Sequence, residues 1–73
     1  MYQFDYSKLN GKIVEVLGTK KILAEKMGIS YITMMHRVHS RMPFDQFEIV
    51  EVCDLLGIPY SDIPDYFFSI KVS

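Results

Sequence analysis

The stretch from residue 19 to residue 41 constrains the fold most, because it predicts two short helices joined by a tight turn. Thr19 is placed to cap the first helix with its side-chain oxygen. Gly28 accepts the left-handed conformation that ends a helix, and Ser30 can cap the next one. We therefore predict a helix-turn-helix over residues 19–39, whose second helix begins at about residue 31.

The spacing of small and apolar residues predicts how these two helices pack. Ala24 stands at the centre of the first helix, where the backbones approach, and Met34 and Val38 face inward from the second. Such a corner also occurs in proteins that bind no DNA, so the pattern alone leaves the function open. When a helix-turn-helix does bind DNA, its second helix enters the major groove.

Start and stop signals elsewhere predict three more helices. Ser7 is expected to cap a first helix, which Gly18 ends. After the turn at Pro43, Asp45 with Glu48 forms a possible capping box for a fourth helix. This helix is the most apolar of the set, and we expect it to be the core helix, with these apolar positions: Phe47, Val50, Val52, Cys53, Leu55 and Leu56. A short fifth helix follows, with Pro64 in its first turn.

The two ends of the chain show the alternating pattern of β-strands. Tyr2, Phe4 and Tyr6 alternate with polar residues near the start, and Phe68, Ile70 and Val72 do so near the end. The segments could pair with each other and close the molecule, or pair with a second copy or another protein. We favour pairing within the chain.

Length indicates one domain, and the charge is divided between its two halves. Seventy-three residues make a single domain, residues 1–73. The net charge of −1 divides unevenly, since residues 8–41 carry +5 and residues 42–73 carry −5. A positive half that coincides with the helix-turn-helix is typical of a phosphate-facing surface, although a chance partition of solvated charges gives the same sum.

The sequence offers no convincing catalytic, metal or membrane signal, so we expect neither an enzyme nor a cofactor. His36 and His39 lack the further ligands that a structural zinc site needs. The lone Cys53 is expected to be a small buried hydrophobe and fits a reducing compartment. No run approaches the roughly 20 apolar residues of a membrane span, and the N-terminus lacks the basic start of a signal peptide. We therefore expect a cytoplasmic protein.

The run Thr-Lys-x-x-Leu-Ala-x-x-Met-Gly-Ile-Ser-x-x-Thr-Met, followed by Pro43 and Phe44, resembles the phage Cro-like and lambda-type repressor family. More narrowly, Tyr-Ser-Lys-Leu at residues 6–9 and Ile-Pro-Asp-Tyr-Phe-Phe at residues 63–68 resemble small early repressors and repressor modulators of temperate phages of Gram-positive bacteria. The resemblance implies a mainly α, five-helix, lambda-repressor-like DNA-binding domain.

For DNA binding, the candidate residues follow from their positions on the two helices. Base contacts would come from the outward face of the second helix: Tyr31, Ile32, Met35 and His36. Phosphate contacts would come from residues at the helix ends, where backbone N–H groups and positive charge meet: Thr19, Lys20, Lys21, Ser30, Arg37, Ser40 and Arg41. The base-contact set lacks Asn, Gln and Arg, the side chains that form two hydrogen bonds to one base. Thymine methyl contacts and DNA shape would therefore carry much of the specificity.

Two functions remain open from the sequence. The first is a Cro-like transcriptional repressor of a phage or prophage switch, bound to double-stranded operator DNA as a homodimer. Its dimer contacts would come from the tail after Pro59 and the exposed edge of the fourth helix. The second is a modulator that binds another repressor protein, with the exposed Ile22, Ile32, Met35 and Met42 forming a protein-binding patch.

Overall fold

The computed structural model describes residues 3–71, which form packed helices. Within this range the prediction of a five-helix, mainly α domain is confirmed. A 3₁₀ turn at Tyr60–Asp62 leads into the last helix. The helices are α1 (Ser7–Leu17), α2 (Lys20–Met27), α3 (Tyr31–Val38), α4 (Gln46–Leu56) and α5 (Ile63–Phe67).

The predicted signals at the ends of α2, α3 and α4 are confirmed. Thr19 Oγ1 accepts a hydrogen bond from the N–H of Ile22 at 3.2 Å, and Ser30 Oγ accepts one from Thr33 at 3.0 Å. Gly28 ends α2 with φ of 71°, a left-handed conformation that favours glycine. The turn between α2 and α3 is therefore fixed by local chemistry on both sides.

The start of α1 differs from the prediction that Ser7 caps it. Ser7 is instead the first residue of the helix, and the carboxylate of Asp5 accepts hydrogen bonds from its backbone N–H at 2.9 Å and from its hydroxyl. These two bonds hold the pKa of Asp5 below its ordinary value, the side-chain bond being the larger cause. An acidic side chain two residues earlier thus stabilises the helix start that the sequence attributes to the serine.

α1 and α4 contact each other, and each also contacts α2 and α5, whereas α3 meets the domain mainly through α2. Met34 and Val38 face inward as predicted, and Ala24 is buried where α2 meets its neighbours. Cys53 is buried as predicted, and burial raises the pKa of its thiol. The attachment of α3 along one side leaves its opposite face outward.

Three aromatic rings tie the N-terminal segment, the α3–α4 loop and α5 together. Phe44 packs edge-on against Tyr6 at a centroid distance of 5.4 Å and against Phe67 at 5.3 Å. Rings prefer this edge-to-face geometry over stacking face to face. The cluster fixes the direction in which the chain enters α4.

The terminal segments meet within the chain, in the arrangement that the sequence analysis favours. The contact is one antiparallel bridge between Phe4 and Ile70, flanked by hydrogen bonds from Asp5 N–H to Ser69 O at 2.7 Å and from Lys71 N–H to Gln3 O at 2.8 Å. The predicted strand positions Tyr2 and Val72 lie outside the described residues.

Two apolar residues of the predicted core helix lie instead at the surface. Val50 on α4 is exposed, and Phe47 on α4 exposes 87% of its surface. α4 is therefore the core helix along one face only, where Val52, Cys53 and Leu56 are buried. None of the helices within residues 3–71 has the length and apolar character that crossing a membrane requires.

Candidate functional site

The first part of the candidate site is the start of α2, where Thr19, Lys20 and Lys21 come together as predicted. They line a shallow groove with Val14 of α1 and Tyr31 of α3. Among residues 3–71, neither lysine has a carboxylate within 4.0 Å. The two ammonium groups and the helix N-terminus can therefore receive an anion, such as a phosphate or an acidic side chain.

The outward face of α3 holds the four residues predicted to contact bases. Ile32 is 69% exposed and Tyr31 is 50% exposed, while Met35 and His36 are half-buried beside them. Ser30, at the start of this face, donates its hydroxyl hydrogen to Thr33 Oγ1 at 2.9 Å and accepts from the Thr33 N–H. The face is thus mostly apolar, and its leading polar group is committed to the helix cap.

The end of α3 carries a partly buried ion pair that the sequence analysis does not anticipate. Arg37 Nε lies 3.1 Å from Glu48 Oε1, and the two side chains are only 18% and 14% exposed. Arg37 Nη2 makes a longer contact of 3.5 Å with the other carboxylate oxygen. The guanidinium predicted to hold a phosphate is therefore neutralised by a carboxylate of α4.

Ser40 and Arg41, the other predicted phosphate contacts, follow α3 directly. Ser40 adopts a positive φ of 59°, and its Oγ accepts a hydrogen bond from the N–H of Phe4 at 3.0 Å. Arg41 is exposed and lines a shallow groove with Met42 and His36. Of the predicted phosphate contacts, Lys20, Lys21 and Arg41 have no carboxylate partner within residues 3–71, while the side chains of Thr19, Ser30, Arg37 and Ser40 are engaged within the fold.

A second exposed surface lies on α4, along the exposed edge that the sequence predicts for this helix, and it holds apolar residues that were expected in the core. We call it the α4 stripe and define it as Phe47, Val50, Glu51, Asp54 and Tyr60, all of them exposed. Tyr60 donates its hydroxyl hydrogen to Asp54 Oδ1 at 2.6 Å, and this bond raises the pKa of Tyr60. α4 carries apolar residues on every side, and a chain this small cannot bury all of them. This excess of apolar residues is the sequence signal for an exposed stripe on the helix.

Neither surface assembles the side chains of a metal centre. Within the described range, 3–71, no three His, Cys, Asp or Glu residues come close enough to hold a metal ion. What the site offers is an apolar helix face between two groups of positive charge, and a separate apolar stripe among carboxylates. Apolar patches edged with polar residues are common at protein interaction sites.

A family model described as "Protein of unknown function (DUF739)" matches residues 2–70. The chain belongs to this family. Its fold is similar to the solution structure of the modulator of repression (MOR) of the temperate bacteriophage TP901-1 from Lactococcus lactis. The identity is 36%, the match covers 90% of this chain and 89% of that one, and the TM-score is 0.80. No curated protein sequence matches the chain.

These comparisons correct the prediction of family. The prediction that the chain is a member of the Cro-like and lambda-type repressor family is wrong. The narrower resemblance to phage repressor modulators agrees with the similarity of this chain to MOR. The reason is physical: Thr19, Ala24, Gly28 and Ser30 encode the caps, the turn and the close helix contact. Those features specify the packing of α2 on α3 and do not specify what the surface binds.

Proposed function

We propose that this protein is a modulator of repression in a phage or prophage, which acts by binding a repressor protein and not by catalysis. The observation that carries the proposal is the 36% identity, over 90% of the chain, to a protein that bears this name. The proposal places the protein in the bacterial cytoplasm, where a repressor meets phage DNA.

The chemistry of α3 supports a protein partner over operator DNA. Its most exposed residue is the apolar Ile32, and Arg37 is already paired with Glu48. Specific base contacts usually come from Arg, Lys, Asn or Gln, which can form two hydrogen bonds to the edge of one base. Since α3 offers no free side chain of these types within Tyr31–Val38, its outward face suits apolar contact with a protein.

The test is to measure whether this protein binds and inactivates the repressor encoded by the same phage or prophage. Isothermal titration calorimetry with the purified repressor should give a complex of defined stoichiometry. A reporter driven by the repressed promoter should become active when this protein is expressed. If the repressor neither binds at tens of micromolar nor loses activity, the proposal is wrong.

A DNA-binding repressor is the second candidate, and the cluster of Thr19, Lys20 and Lys21 favours it. On this reading the α2 start and Arg41 would contact phosphate, the outward α3 face would meet the major groove, and two copies would share a two-fold operator. The double variant Lys20→Glu with Lys21→Glu should then abolish operator binding, and it should leave the repressor complex largely intact if the first proposal is right. A variant that shifts operator DNA with unchanged affinity and salt dependence excludes this second role for the lysines.

A further inference from the structure

The α4 stripe is a continuous surface along one side of its helix. Residues 47, 50, 51 and 54 follow the three- and four-residue spacing that places side chains on one face. The opposite face holds the buried Val52, Cys53 and Leu56. The stripe therefore extends over about 10 Å, at 1.5 Å per residue, with Tyr60 joined to its end through Asp54.

Phe47 contributes little buried apolar surface to the fold. The residue is 87% exposed, so it removes little apolar area from water within this chain. Val50, one turn further along α4, and the ring of Tyr60 extend the exposed apolar surface. An apolar patch with polar residues at its edge is a common property of protein interaction sites.

The charges around the stripe specify the chemistry of its partner. Glu51 and Asp54 are exposed, and within residues 3–71 neither has a cationic group within 4.0 Å. The sequence carries no Lys or Arg between Arg41 and Lys71, so no positive charge from this segment offsets the carboxylates. A nucleic acid is repelled by such a surface. A second copy docked stripe to stripe would set the same carboxylates against each other.

We infer that the α4 stripe binds a protein surface made of an apolar groove edged with Lys or Arg, and that this partner surface belongs to the repressor. The assignment to a repressor rests on the proposed function. Phe47 and Val50 enter the groove as an amphipathic helix does, while Glu51 and Asp54 pair with the basic edge. The outward face of α3, which also suits contact with a protein, has basic edges and would meet a different partner surface.

The experiment is calorimetric titration of the purified repressor of the same phage or prophage with five variants, each checked by circular dichroism: Phe47→Ala, Val16→Ala, Glu51→Lys, Glu25→Lys and Ile32→Ala. Phe47→Ala should weaken binding about thirty-fold or more, as truncation of a central aromatic residue does. Val16→Ala, an exposed apolar truncation on α1, should bind like the wild type. Glu51→Lys should weaken binding and reduce its salt dependence, and Glu25→Lys, the same charge change on α2, should weaken it much less.

The outcomes separate this inference from the function on which it rests. If the wild type binds the repressor and Phe47→Ala binds equally well, the stripe is not the contact while the proposed function stands. Loss of binding in Ile32→Ala alone would assign the contact to α3 and overturn the inference in the same way. A wild-type protein that binds no repressor contradicts both proposals.

Discussion

Removing the carboxylate of Glu48 should destabilise the fold more than removing any exposed acid. Its Oε1 accepts hydrogen bonds from Arg37 Nε at 3.1 Å and from the backbone N–H of Asp45 at 3.0 Å. The first bond joins α3 to α4, and the second completes the capping box of α4. One side chain therefore supports both the start of a helix and its contact with a neighbour.

The magnitude follows from these two losses. A helix-capping hydrogen bond contributes about 1 kcal/mol. An exposed ion pair contributes about 0–1 kcal/mol, and breaking a buried one costs about 3–5 kcal/mol. Since the side chains of Arg37 and Glu48 are 18% and 14% exposed, we place their pair at about 1–2 kcal/mol. Glu48→Ala should thus cost about 2–3 kcal/mol, a fall in Tm of about 10–20 °C for a domain of this size.

Urea unfolding followed by circular dichroism measures this free energy. Glu48→Gln should lose only about half as much, because an amide oxygen can still accept the N–H of Asp45. Glu51→Ala is the matched control, an exposed acid on the same helix, and should change stability by less than about 0.5 kcal/mol. A double-mutant cycle with Arg37→Met isolates the pair. If Glu48→Ala is no more destabilising than Glu51→Ala, or the cycle shows no coupling, the reasoning is refuted.

Three further measurements test the packing and the ionisable groups. Ser7→Ala should raise the pKa of Asp5 toward its ordinary value in an NMR titration. Because the folded pKa of Asp5 is lowered, the stabilisation from this carboxylate is present at neutral pH and is lost as the pH falls through the acid range. Phe67→Ala removes a buried ring and should cost about 3–5 kcal/mol, enough to abolish cooperative unfolding in a small domain. The buried Cys53 thiol should react with a disulfide reagent slowly in the native protein and rapidly in urea; fast reaction without urea would contradict its burial.

The sequence predicts features that depend on a few neighbouring residues. Thr19, Gly28 and Ser30 sit where caps and a left-handed turn are needed, so the bounds of α2 and α3 could be predicted closely. The capping box of α4 is local in the same way. Even the error at Ser7 concerns which of two nearby polar side chains accepts the hydrogen bonds at the helix start.

Features that depend on how helices meet could not be predicted from spacing. Arg37 and Glu48 are eleven residues apart on different helices, so only the packing of α3 beside α4 shows that they pair. The buried face of α4 could not be predicted from spacing either, because its apolar residues point in every direction. Periodicity could not decide whether Phe47 or Val52 faces the core, and the structure buries Val52.

The distribution of charge supports the proposed binding of a protein over the binding of DNA. Arg37 is neutralised by Glu48, and the side chain of Ser40 accepts a hydrogen bond from the N–H of Phe4. Arg41 is the exposed cation that follows α3. Each phosphate contact that is lost reduces the salt-dependent part of DNA affinity, by about 0.9 in the slope of log affinity against log salt. Meanwhile the carboxylates of α4 would repel a DNA backbone that approached from their side. None of these contacts involves a cap, a turn or a buried residue of α2 or α3. What the surface binds can therefore differ while the fold stays the same.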